Sequence, residues 1–165
     1  MRSLTLISCG AALAFAATTA SAETFEKYGE VEGWKVFVDV EKNSCLIEKV
    51  DDLENVVQMG LTADKSAAYV GVFTKVETTV KKDEKEAVAI AIGENVYLGE
   101  ATGMRGNITK GYSGGYVLAD DPQFIEDIAR QYEMVVFPEK EFAFVVDLTG
   151  TLKAIEMVKT CIDER

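Results

Sequence analysis

Trp34-Lys35-Val36-Phe37-Val38-Asp39-Val40 decides the fold class. Trp34, Val36, Val38 and Val40 fall on alternate positions, the period of a strand with one buried face. Further along, Glu41-Lys42-Asn43-Ser44 reads as a turn and Cys45-Leu46-Ile47 as the start of a return strand. Asp51, Asp52 and Glu54 mark another turn. Val56 to Leu61 and Ala67 to Val76 are β-branched and aromatic runs separated by Thr62-Ala63-Asp64-Lys65-Ser66, which predicts a second hairpin. In the other direction the pattern stops: Glu23 to Gly33 is polar, with Phe25 and Tyr28 its only large apolar groups.

Beyond Val76, the charge block Lys81-Lys82-Asp83-Glu84-Lys85-Glu86 lies between apolar runs and reads as a solvated hairpin tip with nearly cancelling signs. Ala87 to Ile92, Gly93-Glu94-Asn95 and Val96-Tyr97-Leu98 follow as strand, tight turn and strand. Asp120 and Asp121 before Pro122 supply a capping acid and a proline suited to a first helical turn. Phe124, Ile125, Ile128, Ala129 and Tyr132 then recur at helical spacing. Met134 to Phe137 and Phe142 to Val146 return to strand character, with Pro138-Glu139-Lys140 turning between them. Thr149 or Thr151 is expected to cap a last helix, whose Ala154, Ile155, Val158, Cys161 and Ile162 share a face. The expected fold is α+β: an antiparallel β-sandwich or open barrel of about eight to ten strands with two covering helices.

The chain has 165 residues. Arg2, the apolar run Leu4 to Ala17 and the small-x-small site Ala20-Ser21-Ala22 predict a signal peptide over residues 1–22 and a single exported domain over 23–165. The apolar run is short for a bilayer span, and Cys9 precedes most of it, unlike a lipoprotein cysteine. Cys45 and Cys161 then remain, an even count that predicts a disulfide in an oxidising compartment, periplasmic or extracellular. Cys161 lies on the apolar face of the last helix, where a strand residue such as Cys45 can meet it.

With 17 Lys and Arg against 28 Asp and Glu, the chain carries a net charge of −11. That balance argues against nucleic acid and against an anionic lipid surface, both of which require clustered cations. There is no histidine, which removes Ser-His-Asp and Cys-His catalysis and the usual neutral-pH base. Two distant cysteines without histidine do not make a zinc set, and no metal or cofactor is expected.

Gly111-Tyr112-Ser113-Gly114-Gly115 matches the G-x-S-x-G nucleophile elbow, but that motif needs a strand-to-helix turn and a histidine. Here Tyr116-Val117-Leu118 continues as strand, and Lys110 is the only stand-in base nearby. The clusters Asp51/Asp52/Glu54 and Asp120/Asp121 lack the calcium-loop pattern and read as a turn and a helix cap. The segment Gly103 to Tyr116 is rich in glycine and carries Arg105, Tyr112 and Tyr116. Tyr and Arg anchor protein interfaces, which makes these three a candidate binding surface for another protein. Strongly bent glycine-rich strands have the same composition without any partner.

Glu32-Gly33-Trp34-Lys35-Val36 followed by Cys45 resembles the G-x-W-x-V…C opening of exported bacterial proteins of the invasion-associated locus B type. Phe144-Val145-Val146-Asp147-Leu148-Thr149-Gly150-Thr151, with Ala154 and Cys161, is similar to the Leu-x-Gly-[Ser/Thr]…Ala…Cys close of related small exported proteins. The resemblance implies a periplasmic or secreted β-sandwich-like domain without enzymatic activity. The export signal, the missing histidine and the Tyr/Gly/Arg segment make the expected function a non-enzymatic periplasmic or secreted binding or interaction protein of unknown ligand. The alternative is a small hydrolase or lyase using carboxylates or Ser113/Lys110, which a concave pocket gathering two carboxylates would favour.

Overall fold

The structure, a computed structural model, describes residues 25–62, 64–76, 81–105, 111–137 and 143–165, with the side chain of Arg105 left out. The predicted signal peptide, Cys9, Lys110 and the Pro138-Glu139-Lys140 turn lie outside these residues. The strand at Trp34 forms as the alternation requires: β2 (Trp34–Asp39) buries Trp34, Val36 and Val38 on one face. It pairs with β3 (Ser44–Val50), which continues into β4 (Val56–Leu61) and β5 (Ala68–Thr74) as an antiparallel meander. The polar segment before Trp34 is also a strand, β1 (Phe25–Val31), hydrogen-bonded to β2. It escapes the period-2 signal because it is an edge strand whose residues are mostly exposed, with a register shift between Lys27 and Gly29. Glu32 and Gly33 join the two strands with φ of 48° and 83°, the positive pair that a tight hairpin turn demands.

The second half departs from a simple meander. β6 (Lys85–Ile92) does not pair with β5 but lies on the far side of β7 (Asn95–Arg105) and β8 (Ser113–Ala119). Lys81 to Glu86 is therefore no hairpin tip. It enters β6 after a crossover past two strands, and Lys85 and Glu86 are already paired with Thr102 and Ala101. Helix α1 (Pro122–Arg130) then carries the chain to β9 (Glu133–Val136) on the outer side of β6, followed by edge strand β10 (Phe144–Asp147). All ten strands are antiparallel in one sheet ordered β1-β2-β3-β4-β5-β8-β7-β6-β9-β10, with α2 (Thr151–Asp163) closing the chain.

Both helices sit on the inner face. Asp121 caps α1 as expected, accepting from the Gln123 amide at 2.9 Å. Phe124 and Ile128 are buried, whereas Tyr132 falls beyond the last turn and is exposed. The cap of α2 is neither threonine but Gly150, whose φ of 85° and close approach to Glu32 leave no room for a side chain. Thr151 is instead the first helical residue, its hydroxyl donating to the Leu148 carbonyl at 2.6 Å. Ala154, Val158 and Cys161 enter the core.

The first strands and the β10–α2 junction meet at one seam. The Trp34 indole N–H donates to the Thr149 carbonyl at 2.9 Å, and Lys49 reaches the Asp147 carboxylate at 2.7 Å. Lys49 also stands over the Trp34 ring, 5.4 Å from its centroid. Glu32 pairs with Lys153 of α2. The Cys45–Cys161 disulfide, with a Cα separation of 6.3 Å, ties α2 to β3. Among the described residues no helix is long and apolar enough to cross a membrane.

Candidate ligand-binding site

Helix α2 packs against β1, β2 and β3, and α1 against α2 and β8, while the inner face of the second half of the sheet also borders a cavity. There the strands enclose a cup of about 420 Å³, and none of its described lining residues comes from a helix. The size lies within the range of small-ligand cavities. Its walls follow from register. Val70 faces Val117 across β5 and β8, Val72 faces Gly115, and Val88 and Ile90 continue the same face on β6. Val136 and Phe144, directly paired, complete it on β9 and β10.

Phe137 belongs to the same wall, although consecutive strand residues point to opposite faces. Its φ of 58° breaks the alternation, a conformation costing about 1–2 kcal/mol for a residue with a Cβ. Its N–H still continues the ladder, donating to the Ala89 carbonyl at 2.9 Å. Both Val136 and Phe137 thus line the cavity.

Polar groups gather near the mouth. Thr74 and Ser113 are register partners and both are buried, at 1% and 7% exposure. The Thr74 hydroxyl oxygen accepts from the Val76 amide at 3.1 Å. Lys81, Glu84, Lys85 and Glu86 stand at the rim. Lys81 lies 3.5 Å from Glu84, and Lys85 pairs with Glu100 at 2.6 Å. Ser113 of the apparent elbow thus starts a strand and sits in the cup wall, with no helix following it. The cup also collects two carboxylates, Glu84 and Glu86, but both are exposed. An acid–base pair needs one carboxyl withdrawn from water so that it stays protonated.

The predicted interface residues divide. Tyr112 and Tyr116 lie on the outer face, where the Tyr112 hydroxyl donates to the Glu54 carbonyl at 3.0 Å and Lys75 stands 5.4 Å from its ring centroid. The Tyr116 hydroxyl donates to Gln58 at 2.8 Å, and Gln58 in turn donates to Glu48 at 2.8 Å. The Tyr116 ring meets Tyr69 and Phe73 edge-on. It is seated against Gly71, where any Cβ would come within 2.4 Å of it. The backbone of Arg105 pairs with Ser113. Both tyrosines are thus tied into the sheet surface, beside a shallower outer hollow of about 320 Å³ lined by Tyr69, Tyr116, Leu46 and Met104.

A buried carboxylate went unnoticed in the sequence. Asp127 lies on the inward side of α1 and accepts from Tyr97 at 2.5 Å, Asn95 at 2.8 Å and Gln123 at 2.8 Å. Those hydrogen bonds, that of Tyr97 foremost, hold its carboxyl below the usual aspartate range. Burial and the Asp127 carboxylate push the Tyr97 phenol up to about 12. With Phe124 edge-on to Tyr97, this network clamps α1 onto the β6–β7 hairpin. Among the described residues no cluster of three or more potential ligands for a metal ion occurs. Comparison with protein families, with curated proteins and with solved structures finds no match.

Proposed function

We propose that this is a non-enzymatic exported protein, periplasmic or secreted, that binds a small apolar ligand in the cup. The cup itself carries the reading: a cavity of about 420 Å³ beside the sheet whose described lining is largely apolar, with Thr74, Ser113 and the charged residues Lys81, Glu84, Lys85 and Glu86 as its polar members. The disulfide supports an oxidising compartment. The resemblance to the invasion-associated locus B type belongs to the same proposal. Of the motif positions that carry it, Trp34, Gly150 and the two cysteines lie at the seam. In this reading they mark a shared scaffold, and the binding chemistry lies elsewhere.

The test is titration of the protein, recovered from the periplasm of an expression host, with the uncharged fluorophore 1-aminoanthracene. A saturable, one-to-one rise in fluorescence is expected. Val72→Trp, which puts an indole into the cavity, should abolish it while the circular dichroism spectrum is retained. Binding that is unaffected by Val72→Trp overturns the cup as the site.

A further inference from the structure

The cup's chemistry is sharper than its volume, and it sorts ligands by their polar end. We infer that the cup takes an uncharged single-chain amphiphile, with an alkyl tail against the aliphatic walls and a hydroxyl or carbonyl head at the Thr74–Ser113 wall. This rests on the reading of the cup as a binding site and names the class of ligand it admits.

Three observations carry it. First, the deep walls are Val70, Val88, Ile90, Val117 and Val136, without a polar side chain among them, so the buried portion of a ligand must be apolar. At about 420 Å³ the cavity is at the small end for ligand sites, which suits one chain rather than two. Second, the hydroxyl side chains in this wall are buried and adjacent, Thr74 opposite Ser113. The Thr74 oxygen accepts from Val76, which engages one of its two lone pairs; the hydroxyl proton is its one donor, and a head that bears an acceptor matches it. Third, the lysines at the rim are committed, Lys81 to Glu84 and Lys85 to Glu100. An anionic head would enter a cup in a chain of net charge −11, without an uncommitted lysine among the described lining residues to meet it. A quaternary ammonium head has no lone pair to accept from Thr74.

The experiment displaces bound 1-aminoanthracene with 1-decanol, decanoate or decyltrimethylammonium near neutral pH. Decanol should displace at a concentration at least about tenfold lower than either ion, since a charge brought into the cup loses hydration that nothing there replaces. Thr74→Val should raise the decanol concentration required, scaled to each variant's own affinity for the fluorophore, by about three- to tenfold, the usual worth of one hydrogen bond. Thr74→Ser, which keeps the hydroxyl, should behave as the unmodified protein and guards against a folding defect in the valine variant. A preference for either ion, or Thr74→Val and Thr74→Ser behaving alike, overturns the head-group assignment while the cup remains the binding site. If the fluorophore does not bind at all, the cup reading fails and this inference fails with it.

Discussion

The seam and the cup are built from the same material, aliphatic strand residues on the inner face of one sheet, and they meet opposite fates. At the seam, β2, β3 and the β10–α2 junction are joined by the Trp34–Thr149 hydrogen bond, the Lys49–Asp147 ion pair and the Cys45–Cys161 disulfide. Helix α2 covers what the strands leave open. At the cup, Val72, Val88 and Val136 face a cavity that no described helical residue lines. Under the proposed reading of the cup, stability and binding are separated in this fold. Interactions that close the chain lie where the helices are, and the inner surface that a ligand can reach lies where they are not. Changes at the seam should therefore alter stability and leave the cup alone, and changes in the cup should do the reverse.

The largest expected effect tests the seam. Cys45→Ser, Cys161→Ser or reduction opens a loop closed across a sequence separation of 116 residues, and the chain-entropy argument puts the loss at about 4–5 kcal/mol as an upper figure. Denaturant unfolding should show the single variants equally destabilised and the double variant hardly worse, because all three lose one bond. Conditions that keep the reduced protein folded should leave fluorophore binding intact. A parallel loss of binding in the folded population would break the separation.

Gly150→Ala comes next. It forces a Cβ to 2.5 Å from that of Glu32 at a φ of 85°, and should lower stability by more than about 1 kcal/mol, since alanine is unsuited to positive φ. Thermal unfolding checks it, and a neutral result would mean that the α2 cap shifts freely.

Acid sharpens the comparison further. Partial burial opposes ionisation of Asp147, but the Lys49 ammonium and the Thr149 hydrogen bonds outweigh it and hold the carboxyl down to about 2. In the unfolded chain an aspartate titrates near about 3.9. Because the folded value is the lower one, the stabilisation is present above about pH 4 and disappears as pH falls through about 2. Asp147→Asn should therefore be less stable than the parent at neutral pH and lose less stability between about pH 4 and 2. An unchanged acid limb in denaturant midpoints would remove Asp147 from the seam's account. Asp127, also held low, contributes with the same sign from the α1 clamp.

The smallest effect on stability belongs to the cup. Val72→Trp extends into open space rather than into packed core, so its unfolding midpoint should stay within about 0.5 kcal/mol of the parent, as for changes outside the core, while binding is lost. A destabilisation comparable to that of Gly150→Ala would show the cup to be part of the packed interior.

Local chemistry determined much of this protein from sequence. The alternation at Trp34, Val36 and Val38, the Asp121-Pro122 start of α1 and the Ala154/Val158/Cys161 face of α2 are each properties of a few neighbouring residues, and each formed as read. The disulfide followed from the placement of Cys161 on that face. β1 was illegible because an exposed edge strand needs no apolar alternation; its neighbour β2 supplies the pairing. The displacement of β6 to the far side of β7 and β8 was illegible for another reason. Hydrogen bonding between strands is satisfied equally by several orders, and only the packing of whole faces against one another selects among them. Asp127 read as one more surface acid on a helix until Tyr97 and Asn95 arrived from β7 to surround it. The cup exists for the same reason. Valines that alternate identically in the sequence pack beneath a helix in one place and line a cavity in another, and only the tertiary arrangement decides which.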